Sequence, residues 1–161
     1  MRSASIPVMV VNLDSHLDAD FCREMGEQLL TVDVPKSLLL KSNGSQGNVY
    51  RNNQRAMELH RLGLIAARSG LNSGALRTAG RLVDLLCVIQ YPKNLHRVDP
   101  PNMWPTVKSV IDGMTEAGLW IDDDSSHIRR TSFQQDPQPT GKQGLWRITF
   151  HIIPISEGEQ E

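Results

Sequence analysis

A chain of 161 residues with 39% hydrophobic content is long enough for one domain with a real core and too short for two. Its formal net charge of -1 excludes a surface coated in positive charge, and Cys22 and Cys87 are too few for a disulfide framework or a structural zinc site. The apolar run from Ile6 to Val11 is too short for a membrane span and lacks the basic lead and cleavage site of a signal peptide. The chain is therefore expected to be soluble and cytoplasmic, with no membrane partner.

In chain order, residues 1–28 are of mixed character and carry no chemistry, and they read as a leader or extension: an added strand and turn, a disordered leader or an upstream start. Leu30, Val32 and Val34 alternate with Thr31 and Asp33, the period of a half-buried strand, and Pro35 ends it. The stretch KSNGSQGN (Lys41 to Asn48) is a loop that lacks the Lys-Ser/Thr ending of a phosphate-binding loop. From Tyr50 to Ser69 the spacing of Ala56, Leu59, Gly63 and Ala66, with Leu62 alongside, predicts a helix with one apolar stripe. Arg51 and Arg55 stand one turn apart, off that stripe, and Gly70 is expected to close the helix. RLVDLLCVIQY (Arg81 to Tyr91) reads as a central strand covered on both faces, with Asp84 as its anomaly.

A second helix is expected to start between Asn102 and Pro105, since Asn caps well and Pro is tolerated only in the first turn. Val107, Val110, Ile111 and Met114 follow helical spacing and should face the core, which puts Lys108 and Asp112 on a different strip beside Thr115. Gly118 supplies a left-handed stop, and Leu119, Trp120 and Ile121 lead into an acidic turn. Gln134 to Gly144 reads as a polar hairpin loop, and Trp146, Ile148, Phe150 and Ile152 as the buried face of a last strand. The order predicts an α+β domain over 29–155, a small mixed β-sheet packed with two main helices, followed by an acidic tail at 156–161.

Charge is unevenly spread along the chain. Between Pro35 and Ile111 eleven Lys and Arg residues stand against Glu58, Asp84 and Asp99, a local excess of eight that the acidic ends hide in the total. A basic middle that includes Arg51, Arg55, Arg97 and Lys108 suits a phosphate backbone, although any single arginine also fits a solvated helix face.

Asp99 precedes the second helix, and Asp122, Asp123 and Asp124 follow it. Mg²⁺ takes hard oxygen ligands and keeps several waters, so one or two carboxylates suffice when a substrate phosphate adds oxygens. Such a site would activate water and neutralise charge on a phosphodiester, with Lys108 near the phosphate. Spacing leaves a second reading equally open, in which the aspartates form solvated turns and Lys108 with Asp112 is only a surface pair. His16, His60, His96, His127 and His151 have no metal-ligand spacing, and no grouping suggests a covalent nucleophile.

The segment DPPNMWPTVKSVIDGMTEAGLWIDDDSSHI resembles the central motif of the RusA family of Holliday-junction resolvases, common in phages and prophages. Asp99 and Asn102 match the family's Asp-x-Asp-Asn segment, Lys108 and Asp112 its helix, and EAGLWIDDD the remainder. A weaker likeness runs from LLTVDVP to Ile153. The resemblance implies a RusA-like, homodimeric endonuclease that uses Mg²⁺, or Mn²⁺ in its place, to nick two opposed strands of a four-way DNA junction. It implies Asp99 and Asp123 as metal ligands and catalytic residues, Asp122 as a neighbouring metal carboxylate, and Lys108 as an essential base at the phosphate. The motif departs from the family at Pro101, which stands where the second aspartate belongs, and in three extra residues between Asn102 and Lys108. That leaves Asn102, Asp112 or Asp124 to substitute. The alternatives are a catalytically impaired junction-binding protein of the same fold and a phage protein-interaction module.

Overall fold

The structure, a computed structural model, describes residues 26–44, 47–80, 82–93 and 99–155. Strand β1 (Gln28–Pro35) runs into a short 3-10 turn (Lys36–Leu38). Helix α1 (Val49–Ser73) and strand β2 (Val83–Gln90) follow. A second 3-10 turn (Pro100–Met103) opens directly into helix α2 (Trp104–Glu116), and β3 (Ile128–Gln135) and β4 (Leu145–Pro154) complete the domain. The strands form one mixed sheet in the order β1, β4, β2, β3. β4 is antiparallel to both neighbours, while β2 and β3 are parallel. A parallel pair needs a long crossover, and the segment carrying α2 supplies it.

Alternation decides which side of the sheet is covered. Leu30, Val32, Val34, Leu85, Cys87, Ile89, Trp146, Ile148, Phe150 and Ile152 all point to one face and are buried there against Leu59 and Ala67 of α1 and Val107, Val110 and Met114 of α2. Burial of each large apolar side chain contributes about 1.5–3 kcal/mol. The other face carries paired polar groups. Thr31 lies opposite Thr149, and Asp33 opposite Arg147, whose Nε donates to Asp33 Oδ1 at 2.7 Å. Asp84, anomalous in its apolar strand, is resolved by a bulge between Val83 and Asp84. The bulge lets Arg129 and Arg130 of β3 both reach its carboxylate, at 2.7 and 3.0 Å.

The helices meet through glycines. A methyl group on Gly63 of α1 would sit 2.1 Å from the Val110 carbonyl oxygen, and one on Gly113 of α2 would sit 1.9 Å from the His60 carbonyl oxygen. Each helix therefore lays bare backbone against the other. Asn48 caps α1 by accepting from Tyr50 N at 2.9 Å.

Two expectations fail. Gly70 does not end α1, which continues to Ser73 and stops at Gly74 (φ 77°). Gly70 is instead needed because a side chain there would strike Leu76 Cδ1 at 2.4 Å. The segment after β3 is no hairpin loop, since β2 lies between β3 and β4 in the sheet. It crosses the end of β2 and is tied there, with Asp136 N donating to Ile89 O and Thr140 N to Tyr91 O, each at 2.8 Å. Most of the expected leader or extension lies outside the described residues, as do His16, Cys22, His96, Arg97 and the acidic tail; Gln28, its last residue, already belongs to β1. Among the described residues no helix is long and apolar enough to cross a membrane.

Candidate active site

Helix α2 exposes one strip away from the core, and Lys108 and Asp112 lie on it one turn apart as an ion pair. What completes the group is the return of the chain. Gly118 adopts φ 87°, which few residues other than glycine tolerate, and Leu119 N donates back to Met114 O at 3.2 Å. Leu119 and Trp120 are then buried, and the Trp120 indole donates to Thr115 Oγ1 at 2.7 Å. Ile121 stays exposed and no strand forms there, so the chain turns back along α2 instead of along the sheet. Asp123 arrives beside Lys108, whose ammonium donates to its Oδ2 at 2.7 Å.

Lys108 is thus shared by Asp112 and Asp123. Burial works against its charge, but the hydrogen bonds to the two carboxylates outweigh that and raise its pKa above the ordinary 10.5. The hydrogen bond from Lys108 holds the Asp123 carboxyl below its ordinary 3.8 against the opposing effect of burial. Asp122 is exposed and uses Oδ1 to accept from Asp123 N at 2.7 Å, which fixes the turn. One ammonium is shared by two carboxylates, so the bonded group of Lys108, Asp112 and Asp123 retains net negative charge.

Asp124 has a different task. Its Oδ1 accepts from Ser126 N at 3.0 Å, from the Ser126 hydroxyl, and pairs with His127 Nδ1 at 2.9 Å. The Ser126 hydroxyl and then His127 hold its carboxyl below the usual range. Asp124 shapes the turn into β3, as aspartates in such turns do. Asp99 lies exposed before the second 3-10 turn, where its backbone carbonyl accepts from Asn102 N at 3.0 Å and its side chain makes no capping bond. Among the described residues no hydrogen bond or ion pair joins Asp99 to the Lys108 cluster, and no three His, Cys, Asp or Glu side chains are gathered to hold a metal ion. The donor set still fits Mg²⁺ in kind. Asp112 and Asp123 offer hard oxygens converging on one cation, and Mg²⁺ needs no more than one or two protein carboxylates when water and phosphate supply the rest.

Asn102 accepts from Ser42 N through its backbone carbonyl at 2.9 Å. Beside it, Thr106 is fully buried, and its hydroxyl accepts from Leu40 N at 2.9 Å while donating to Leu40 O at 2.7 Å. These bonds moor the first turn of α2 to the segment after β1. Thr106 was not singled out from the sequence, although it stands four residues before Val110 on the core-facing stripe, where a hydroxyl must find a partner. Arg129 and Arg130 were missed as well, because only the bulge brings both to Asp84. On α1, Arg51 is exposed and Arg55 half-buried. A groove of about 400 Å³ between the helices is lined by Ala56, Met57 and His60 of α1 and by Ser109 and Asp112 of α2, so the cluster borders it.

No family model matches the chain, and no curated protein matches it. Among solved structures, the crystal structure of E. coli HypE, a hydrogenase maturation protein, aligns at 15% identity over 94% of this chain and 40% of that chain, with a TM-score of 0.22. The chain thus spans less than half of that protein, and so slight a likeness carries no argument.

Proposed function

We propose that the chain is a RusA-like, structure-specific DNA endonuclease that acts as a homodimer and nicks opposed strands of a four-way junction with Mg²⁺, or Mn²⁺ in its place. The observation that carries the reading is the meeting of Lys108, Asp112 and Asp123, motif positions that lie up to fifteen residues apart. Lys108, kept charged by both carboxylates, is the group to receive a phosphate oxygen. Asp123 and Asp112, with Asp122 beside them and Asp99 from the resemblance, would hold the cation. A bound divalent ion would offset phosphodiester charge and lower the pKa of an attacking water. Arg51 and Arg55, with Arg97 outside the described residues, would meet the DNA backbone. The exposed apolar residues Val49, Tyr50, Met57 and Ile65 on α1 offer a surface to a second copy.

The test is cleavage of a synthetic mobile junction with and without Mg²⁺. Paired nicks are expected, reduced by about two orders of magnitude or more in Asp99→Asn and in Asp123→Asn, the usual cost of removing a group that stabilises developing charge. Undiminished cutting by both variants would overturn the site assignment. A second reading, binding of the junction without cleavage, is favoured by Pro101 in place of a carboxylate and by the lack of any hydrogen bond or ion pair between Asp99 and the Lys108 cluster among the described residues. Metal-independent gel shifts with no cutting under any divalent ion would establish it. Binding insensitive to salt would point instead to a protein-interaction module, because phosphate contacts weaken as salt rises.

A further inference from the structure

Trp104 opens α2 four residues before Lys108 and eight before Asp112, so the three share one strip of the helix, separated by about 6 Å per step along its axis. The chain has three tryptophans. Trp120 and Trp146 are 1% exposed, whereas Trp104 is 38% exposed. Its ring is nonetheless held in place. It forms a T-shaped pair with Phe133 of β3, with centroids 6.1 Å apart and planes at 88°, and Phe133 rests on the core. The preceding 3-10 turn and Pro105 restrict the backbone at that point. A large aromatic side chain, more than a third exposed, is therefore held one turn from the ammonium that would receive a phosphate.

We propose that Trp104 is a stacking platform for an unstacked nucleobase of the DNA, placed beside the phosphate contact at Lys108. The inference rests on the nuclease reading of the Lys108 cluster and adds a substrate feature to it. Every base has a π-face, so a tryptophan accepts any of them without reading sequence, and the interaction is available only where a base has left its stack. In a continuous duplex both faces of each base are covered by its neighbours. At a branch point or a gap they are not. Trp104 would then separate branched or gapped DNA from continuous duplex, while Lys108, Arg51 and Arg55 bind phosphates in either.

Because the other two tryptophans are buried, a change in emission on adding DNA reports Trp104. The full chain is titrated, without a divalent ion, with a four-way junction, a duplex carrying a single-stranded gap, and a continuous duplex. Quenching by the first two and little by the third is expected. Trp104→Ala should weaken binding of junction and gapped DNA by about ten- to a hundredfold while leaving duplex affinity unchanged, in line with base–aromatic stacking. Trp104→Phe should keep most of the affinity and lose the emission change, and melting curves of both variants show whether they fold. Equal quenching by continuous duplex overturns the proposal, and so does unaltered junction affinity in a folded Trp104→Ala. If the protein never cuts yet shows Trp104-dependent junction binding, the nuclease reading falls alone. If it cuts and Trp104→Ala binds and cuts as before, only the stacking role falls.

Discussion

Lys108 serves two carboxylates at once, and this sharing makes the cluster respond to pH at both ends of the scale. The Asp123 carboxyl ionises below its ordinary 3.8 in the folded chain, so its bond to Lys108 stabilises the native state above that value and is lost as pH falls through the lowered one. The Lys108 pKa is raised above 10.5, so on the basic side the contribution is intact below 10.5 and fades only as pH rises past the folded value. The Asp123 side chain is 24% exposed and that of Lys108 41%, which places the pair among screened ion pairs worth about 0.5–1 kcal/mol. Asp123→Asn should therefore melt about 1–4 °C below the parent chain at neutral pH. The gap should close as both are taken into acid below the lowered value of the folded chain, where the carboxylate is protonated in either state. Melting curves across that range check it, and a gap that persists undiminished in acid would show that the carboxylate charge is not what stabilises. Lys108, Asp112 and Asp123 were each legible in the sequence by motif position. Their contact was not, because a lysine has several acids within reach of its long side chain and only the path of residues 118–123 selects among them.

Helix α2 owes its position to the two glycines at its crossing with α1. Gly63 was legible as a member of the α1 stripe, but Gly113 in mid-helix is locally unfavourable and gains its meaning only from the backbone lying against it. Gly63→Ala and Gly113→Ala should each lower stability by about 1–3 kcal/mol, toward the upper end, because the obstructing atoms are backbone carbonyls that cannot rotate away. Gly80→Ala meets nothing within 4 Å and serves as the control. Thermal or denaturant melts decide the matter. A neutral Gly113→Ala would mean that the helices part easily, and with them the groove that Asp112 borders. Strand assignments from alternation were sound, since the residues read as inward-facing on β1 and β4 are the buried ones. The presumed hairpin went astray because a polar loop looks the same whether it joins neighbouring strands or crosses a third.

At the level of the whole molecule, the proposed paired nicking requires two sites related by a two-fold axis, since one site cuts one strand at a time. Sedimentation should give twice the 18.0 kDa of the chain. Met57, 71% exposed on α1, is the residue to change. Met57→Glu should yield a folded monomer that nicks one strand without the coordinated second cut, seen as nicked junctions accumulating before linear products. Paired cutting by a protein that sediments as a monomer would sink the dimeric arrangement. The apolar residues of α1 were masked in the sequence by intervening arginines, and their exposure emerged only once the opposite stripe was seen to fill the core.

The order of elements, the apolar faces of both helices and of β1 and β4, and the residues able to carry phosphate chemistry were determined by the sequence alone, because periodicity and residue type are local properties of the chain. The tertiary structure decided which strands are neighbours, why Asp84 is tolerated, that Asp123 joins Lys108, and that Asp124 bonds Ser126 and His127 in the turn into β3. Those outcomes depend on contacts between residues distant in sequence, on a bulge that adds one residue to β3, and on a left-handed glycine that turns the chain back. None of these leaves a periodic trace.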